Sequence, residues 1–194
     1  MERETEMLAG RTSESPEATE ALGELLGRTL GAGSVIALVG DLGVGKTCFV
    51  RGLGKGLGLP PGVASPTYTL MQAHEGGRLP LYHFDAWMEG REAALFEDGG
   101  DEWLRGEGIA VVEWAGRVEA WLPRPCLWVE LGHLAPERRS VRIGLALGPE
   151  PADGAHGALR SLIAALHWPT GMPADPDFQG GRVNRPARGP LGGH

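Results

Sequence analysis

The eight residues Gly40 to Thr47, GDLGVGKT, combine types that hold phosphate groups and little else. They match GxxxxGK[ST] in full. Glycines at 40, 43 and 45 let the backbone curl so that successive N–H groups point inward at anionic oxygens, ahead of a helix N-terminus whose dipole also favours anions. Lys46 supplies a point charge for β and γ phosphates, and Thr47 a hard hydroxyl oxygen suited to Mg²⁺. A cation held there needs a second anchor, expected as an acid at the end of a neighbouring strand. Asp85 and Glu113 are the two candidates, each closing an apolar run, LPLYHFD and IAVVE. Which of them meets the metal is open at this level. His83 has no Cys or His partner in the adjoining sequence and reads as a strand histidine satisfied by a hydrogen bond rather than as a ligand.

The elements around these residues follow from periodicity and punctuation. Ser34 to Val39 is a short unbroken apolar segment, β-branched at Val35, Ile36 and Val39, that fits a strand buried on both faces, and it leads straight into the glycine loop. After the loop, Thr47 to Leu57 continues as a helix despite Gly52, Gly54 and Gly56, each costing roughly 1 kcal/mol relative to Ala, until Pro60 and Pro61 stop it. Upstream, Ser15, Pro16 and Glu17 form a helix start, and Ala18, Leu22, Leu25, Leu26 and Leu30 recur at helical spacing. Leu79 to Asp85, Ile109 to Trp114, Cys126 to Leu131 and Ser140 to Leu147 read as strands. Glu92 to Leu104 is expected to be helical in part, and Ala158 to Leu166 to form a last helix. The fold class is α/β: a P-loop NTPase fold with a central, mostly parallel or mixed sheet flanked by helices.

With 194 residues the chain suits one such domain, placed over residues 15–168, between a flexible stretch 1–14 and a disordered tail 169–194 rich in Gly and Pro. The 25 acids against 18 Lys and Arg give a net charge of -7, which argues against unaided binding to nucleic acid. Arg182, Arg185 and Arg188 in the tail read as a solvated end rather than an RNA contact. Two cysteines, Cys48 and Cys126, without a CxxC, are too few for a disulfide framework and read as small buried hydrophobes of a cytoplasmic protein. No signal peptide or membrane-spanning run is visible.

GDLGVGKT, SPTYTL (Ser65 to Leu70), LYHFD (Leu81 to Asp85) and VVEW (Val111 to Trp114), in this order and at these separations, resemble the TsaE family, formerly YjeE. FVRGLGKGLG (Phe49 to Gly58) and the spacing of Leu95, Gly99 and Trp103 add to the likeness, which runs from about Ser15 to Leu147. The resemblance implies a compact ATPase of tRNA threonylcarbamoyladenosine synthesis that binds ATP and Mg²⁺ and hydrolyses ATP slowly by itself. By the same resemblance Leu42, Gly43, Val44, Gly45, Lys46 and Thr47 hold phosphates, Thr47 and Glu113 bear on the metal, and Asp85 takes the Walker B-like place. Ser65 to Thr69, including Thr67, becomes a switch-like loop near the γ-phosphate, and Trp114 lies beside the site or caps its strand in the core. The implied partner is a TsaB–TsaD heterodimer that the ATP cycle resets, with tRNA met only through that complex.

The sequence departs from the family at Ala86, Trp87 and Met88, where Leu, Tyr and Arg usually follow the aspartate, so an arginine is missing. Cys48 stands where a second Thr or Ser is common, and the likeness ends near Pro149. Two other readings share the loop: a small kinase passing the γ-phosphate to an acceptor, and a nucleotide-binding scaffold without hydrolysis. The stretch from Glu89 to Gly108 offers only Arg91 and Arg105 for a kinase lid. A GTPase fails on sequence, because the sole asparagine, Asn184, and the only DxxG, Asp177 to Gly180, lie in the tail.

Overall fold

The computed structural model describes residues 3–66, 68–88, 90, 91, 96, 100–148 and 154–185. Among them an eight-stranded mixed sheet runs in the order β3–β4–β5–β2–β6–β7–β1–β8. Its strands are β1 (Arg3–Ser13), β2 (Val35–Val39), β3 (Met71–His74), β4 (Leu81–Asp85), β5 (Ile109–Glu113), β6 (Cys126–His133), β7 (Arg139–Ala146) and β8 (Gly181–Arg185). The helices are α1 (Pro16–Thr29), α2 (Lys46–Leu57), the short α3 (Gly100–Leu104) and α4 (Ala155–Ala164). Strands β4, β5, β2 and β6 are mutually parallel, and the remaining pairings are antiparallel.

The unbroken apolar run of β2 has a plain cause: both of its faces are covered. Ile36 and Leu38 join Leu22, Leu26, Phe49 and Leu53 from α1 and α2 in one core. Val35 and Ala37 join Tyr82, Phe84, Val112 and Trp128 in a second core across the sheet. Helix α1 begins as its capping residues dictate, with the Ala18 N–H donating to Ser15 Oγ at 3.2 Å and Pro16 in the first turn. Helix α2 ends at Gly58, left-handed at φ 74°, whose N–H turns back to the Gly54 and Lys55 carbonyls.

The glycines of α2 have a use that propensity alone hides. A Cβ on Gly52 would stand 2.0 Å from the Glu20 carbonyl oxygen, and one on Gly56 2.1 Å from that of Glu24. Reciprocally, a Cβ on Gly23 or Gly27 of α1 would stand 2.0 or 2.4 Å from the Phe49 or Leu53 carbonyl oxygen. Backbone meets backbone, and Glu20 bridges to Arg51 and Lys55 at the rim of the contact. Gly52→Ala is therefore expected to destabilise the protein by about 1–3 kcal/mol through forced helix separation. Helix propensity alone predicts a gain of about 1 kcal/mol, so the sign of the change in chemical denaturation decides between them.

Both chain ends depart from expectation. The stretch 1–14, expected to be flexible, contains β1, paired with β7 from Thr5↔Ala146 to Ser13↔Arg139. Its signal is a period-two alternation in which buried Thr5 and Met7 interleave with half-buried Glu4 and Glu6, masked by the charges and by a bulge between Met7 and Ala9. The stretch 169–194, expected to be disordered, is ordered against β1 as far as residue 185. Thr12 N–H donates to Pro173 O and Glu14 N–H to Gly171 O, both at 3.0 Å, and β8 adds the next strand. Phe178 covers Gly10, where a Cβ would come within 2.3 Å of its ring. Main-chain bonding secures this segment, which is why side-chain periodicity does not announce it. Residues 186–194, with Arg188, lie outside the described residues. Of the helix expected over Glu92 to Leu104, α3 is the described part; Leu95 and Gly99 lie outside it. Cys126 is buried and Cys48 half-buried. No described helix is long and apolar enough to cross a membrane.

Candidate active site

The glycine loop joins β2 to α2 where the parallel strands end. Two of its glycines are required by geometry. Gly45 caps α2 in the left-handed region at φ 113°, with no side chain capping the helix N–H groups. At Gly40, φ 146°, a Cβ would lie 2.4 Å from the Leu131 carbonyl oxygen. Val44 turns its side chain into the core, and its N–H donates to Asp41 O at 3.3 Å, so it fixes the curl from beneath. Arg139, from the start of β7, donates to Val44 O at 2.8 Å and to Ala135 O and Pro136 O, tying the loop to the β6–β7 hairpin. No sequence signal marks that contact, since the reach is tertiary.

Lys46 is 5% exposed and folds back over its loop, its Nζ donating to Gly40 O and Asp41 O, each at 2.9 Å. The ammonium also lies 3.8 Å from the centroid of Trp114. Burial pushes the Lys46 pKa down, and the carboxylates of Glu113, Asp85 and Asp41 pull it back up. Trp114 reaches this place by an uncommon backbone: it follows β5 with φ 57° and turns the chain into the 3₁₀ turn Ala115–Arg117. Left-handed conformation at a bulky residue stores about 1–3 kcal/mol of strain and clusters at working sites. The half-buried indole thus stands at the site and packs on the core as well.

Asp85 and Glu113 are register partners on adjacent parallel strands, each 3% exposed. The Ser65 hydroxyl donates to Asp85 Oδ2 at 2.6 Å and the Trp87 N–H to Oδ1 at 2.9 Å. Glu113 Oε1 lies 2.9 Å from His83 Nε2. Main-chain bonds from Asp85 N–H to Leu70 O and from Ala86 N–H to Glu113 O brace the segments around them. Leu42, Gly43, Gly45, Lys46 and Thr47 on one side face Ser65, Asp85, Trp87, Glu113 and Trp114 on the other across a cavity of about 320 Å³. A hydroxyl and two carboxylates are hard oxygen donors of the kind Mg²⁺ takes. Thr67 lies outside the described residues.

Beyond Trp114 a wider crevice of about 610 Å³ is lined by Asp41, Arg117, Glu119, Trp128 and Glu130 among others. It lacks Lys46, Thr47, Asp85 and Glu113, all of which line the smaller cavity. Arg117 donates to Trp87 O at 2.9 Å and stacks over Trp87 and Trp114, 5.4 and 5.9 Å from their centroids. A guanidinium therefore lies beside the segment that carries Met88, where the resemblance leads to an arginine being expected, and Met88 itself packs on the core.

A strand running into a phosphate loop and helix, with paired acids at the ends of neighbouring parallel strands, defines a P-loop NTPase fold. A crystal structure of Bacillus subtilis YdiB superposes with a TM-score of 0.61 at 30% identity, covering 83% of this chain and 97% of that one. The family model described as threonylcarbamoyl adenosine biosynthesis protein TsaE matches residues 13–141. Proteins named tRNA threonylcarbamoyladenosine biosynthesis protein TsaE are similar: 40% identical over 131 residues in Treponema pallidum, 68% of this chain and 96% of that protein. The similarity is 38% over 128 residues in Bacillus subtilis, 66% of this chain and 79% of that protein. The chain belongs to the TsaE family of threonylcarbamoyladenosine biosynthesis proteins.

Proposed function

We propose that the protein binds ATP with Mg²⁺ in the cavity of Lys46 and hydrolyses it, and that the cycle resets a TsaB–TsaD-type heterodimer making threonylcarbamoyladenosine in cytoplasmic tRNA. The observation that carries this is the in-register pairing of Asp85 with Glu113 facing Lys46 and Thr47 across one cavity. Loop N–H groups and Lys46 would cradle the phosphates, Lys46 leaving Gly40 O and Asp41 O for them. Thr47, Asp85 and Glu113 would hold Mg²⁺, whose charge neutralises the β and γ oxygens when bound. Water attacks the γ-phosphorus, the bond to the β–γ bridging oxygen breaks, and ADP leaves with inorganic phosphate. Lys46 meets the charge gathering on the leaving oxygen, and Glu113 and Asp85 fix the geometry around it.

Among the large apolar side chains that stand exposed are Leu42 on the phosphate loop, Tyr68 on the loop before β3 and Trp87 after β4. Leu42 and Trp87 line the cavity itself, so a docked partner would close it, and such patches mark association. Contact with tRNA is left to that partner, in keeping with the net charge of -7.

The test follows phosphate release from ATP by the protein alone and with TsaB and TsaD, together with nucleoside analysis of tRNA from cells lacking the protein. Slow release, accelerated by the pair, and loss of the modified nucleoside are expected. Transfer of the γ-phosphate to an acceptor, or persistence of normal threonylcarbamoyladenosine, would overturn the reading.

A further inference from the structure

Below the two carboxylates sits a buried group that this chemistry does not use directly. His83 has no exposed surface and lies on β4 two residues before Asp85, with Val111 as its register partner. Two residues to one side Leu81, and across the register Val111, belong to the core under α2. An imidazole among such residues is tolerated only when hydrogen bonded. His83 Nε2 meets Glu113 Oε1 at 2.9 Å. A carboxylate only accepts, so Nε2 is the donor in this bond and Nδ1 is the ring's other nitrogen. That Nδ1 is buried with no partner among the described residues. So is Nε2 of His74 on β3, whose ring centroid is 6.2 Å away. A leucine at position 83 would pack here without stranding a nitrogen, so core stability does not account for the imidazole.

We infer that His83 is a positioning residue for hydrolysis. By donating from Nε2 it holds Glu113 in one rotamer and occupies Oε1, so that the carboxylate presents its remaining oxygen at the cavity shared with Lys46 and Thr47. This rests on the reading of Glu113 as a residue of the ATPase site. The arrangement is that of an outer hydrogen bond orienting a metal-facing carboxylate.

The experiment compares His83→Gln, His83→Asn and His83→Leu with the wild type in steady-state ATP hydrolysis across a Mg²⁺ titration, with metal-free ATP binding and melting curves alongside. Glutamine carries an amide N–H to about the reach of Nε2, and asparagine stops at about Nδ1. Leu and Asn are expected to lower kcat by about 10–100-fold and to raise the Mg²⁺ concentration for half-maximal rate. Metal-free ATP affinity stays within about threefold, since the phosphate loop is untouched, while Gln recovers most of the loss. In a Glu113→Gln background the His83→Leu change adds little. Wild-type turnover and Mg²⁺ dependence in the Leu variant, or a Gln variant as poor as Asn, would overturn the inference while leaving the ATPase reading intact. A folded wild type that neither binds nor hydrolyses ATP would instead remove the reading on which it rests. Should the Leu variant not fold, the Gln and Asn pair carries the same comparison.

Discussion

Lys46→Met is expected to lower ATP turnover by about two to three orders of magnitude, the cost of losing a preorganised charge aimed at the transferring phosphoryl group. Methionine keeps the length and the apolar stem, so the loop does not collapse. The native structure keeps this ammonium buried, which is why its pKa is pushed down and only partly restored by Glu113, Asp85 and Asp41. Two carbonyls, Gly40 O and Asp41 O, lose a donor, and the Trp114 ring loses a cation but keeps a thioether. Melting temperature should therefore move little while turnover collapses. Phosphate release and thermal unfolding measured on one preparation separate the two effects.

Glu113→Gln and Asp85→Asn form the second large prediction. Each substitution removes a charge and preserves shape. At position 113 the amide oxygen still accepts from His83 Nε2. At position 85 the amide oxygen still accepts the Trp87 N–H, and the Ser65 hydroxyl can reverse to accept from the amide nitrogen. The fold is thus spared, and what is lost is the anionic pair opposite Lys46. Each change is expected to reduce kcat on the order of 10²-fold and to demand more Mg²⁺ for half-maximal rate. ATP measured without metal should bind as tightly or slightly tighter, because two like charges near the phosphates have become one. A Mg²⁺ titration of turnover checks the first outcome and metal-free binding the second.

The site was legible where chemistry and local conformation coincide in a few residues. Gly40 to Thr47 carries its own turn, dipole and charge, so eight letters specify both shape and role. Asp85 and Glu113 were legible because β4 and β5 are short apolar runs buried on both faces, and an acid ending such a run is conspicuous. Their being in register, by contrast, is a property of strand pairing that neither run states alone. The link from His83 to Glu113 and the hold of Arg139 on Val44 cross 30 and 95 positions of chain, beyond any local pattern.

In the fold the losses have one physical origin: information carried by the backbone. Strand β1 hides its alternation behind glutamates, and β8 is secured mainly by main-chain bonds to β1. Gly52 and Gly56 look like defects when weighed as helix formers and prove to be where two helices touch. For β8 and the two glycines what mattered was the main chain rather than a side chain, which periodicity cannot register. The left-handed turn at Trp114 is similar, since no residue type announces it.

Calorimetric titration of the folded protein with ATP and Mg²⁺ tests the central claim most directly. Saturable uptake at one site per chain, strongly weakened in Lys46→Met, is the outcome expected of a phosphate loop facing paired carboxylates. Absence of uptake by the folded wild type, or equal uptake by the Lys46→Met variant, would contradict it.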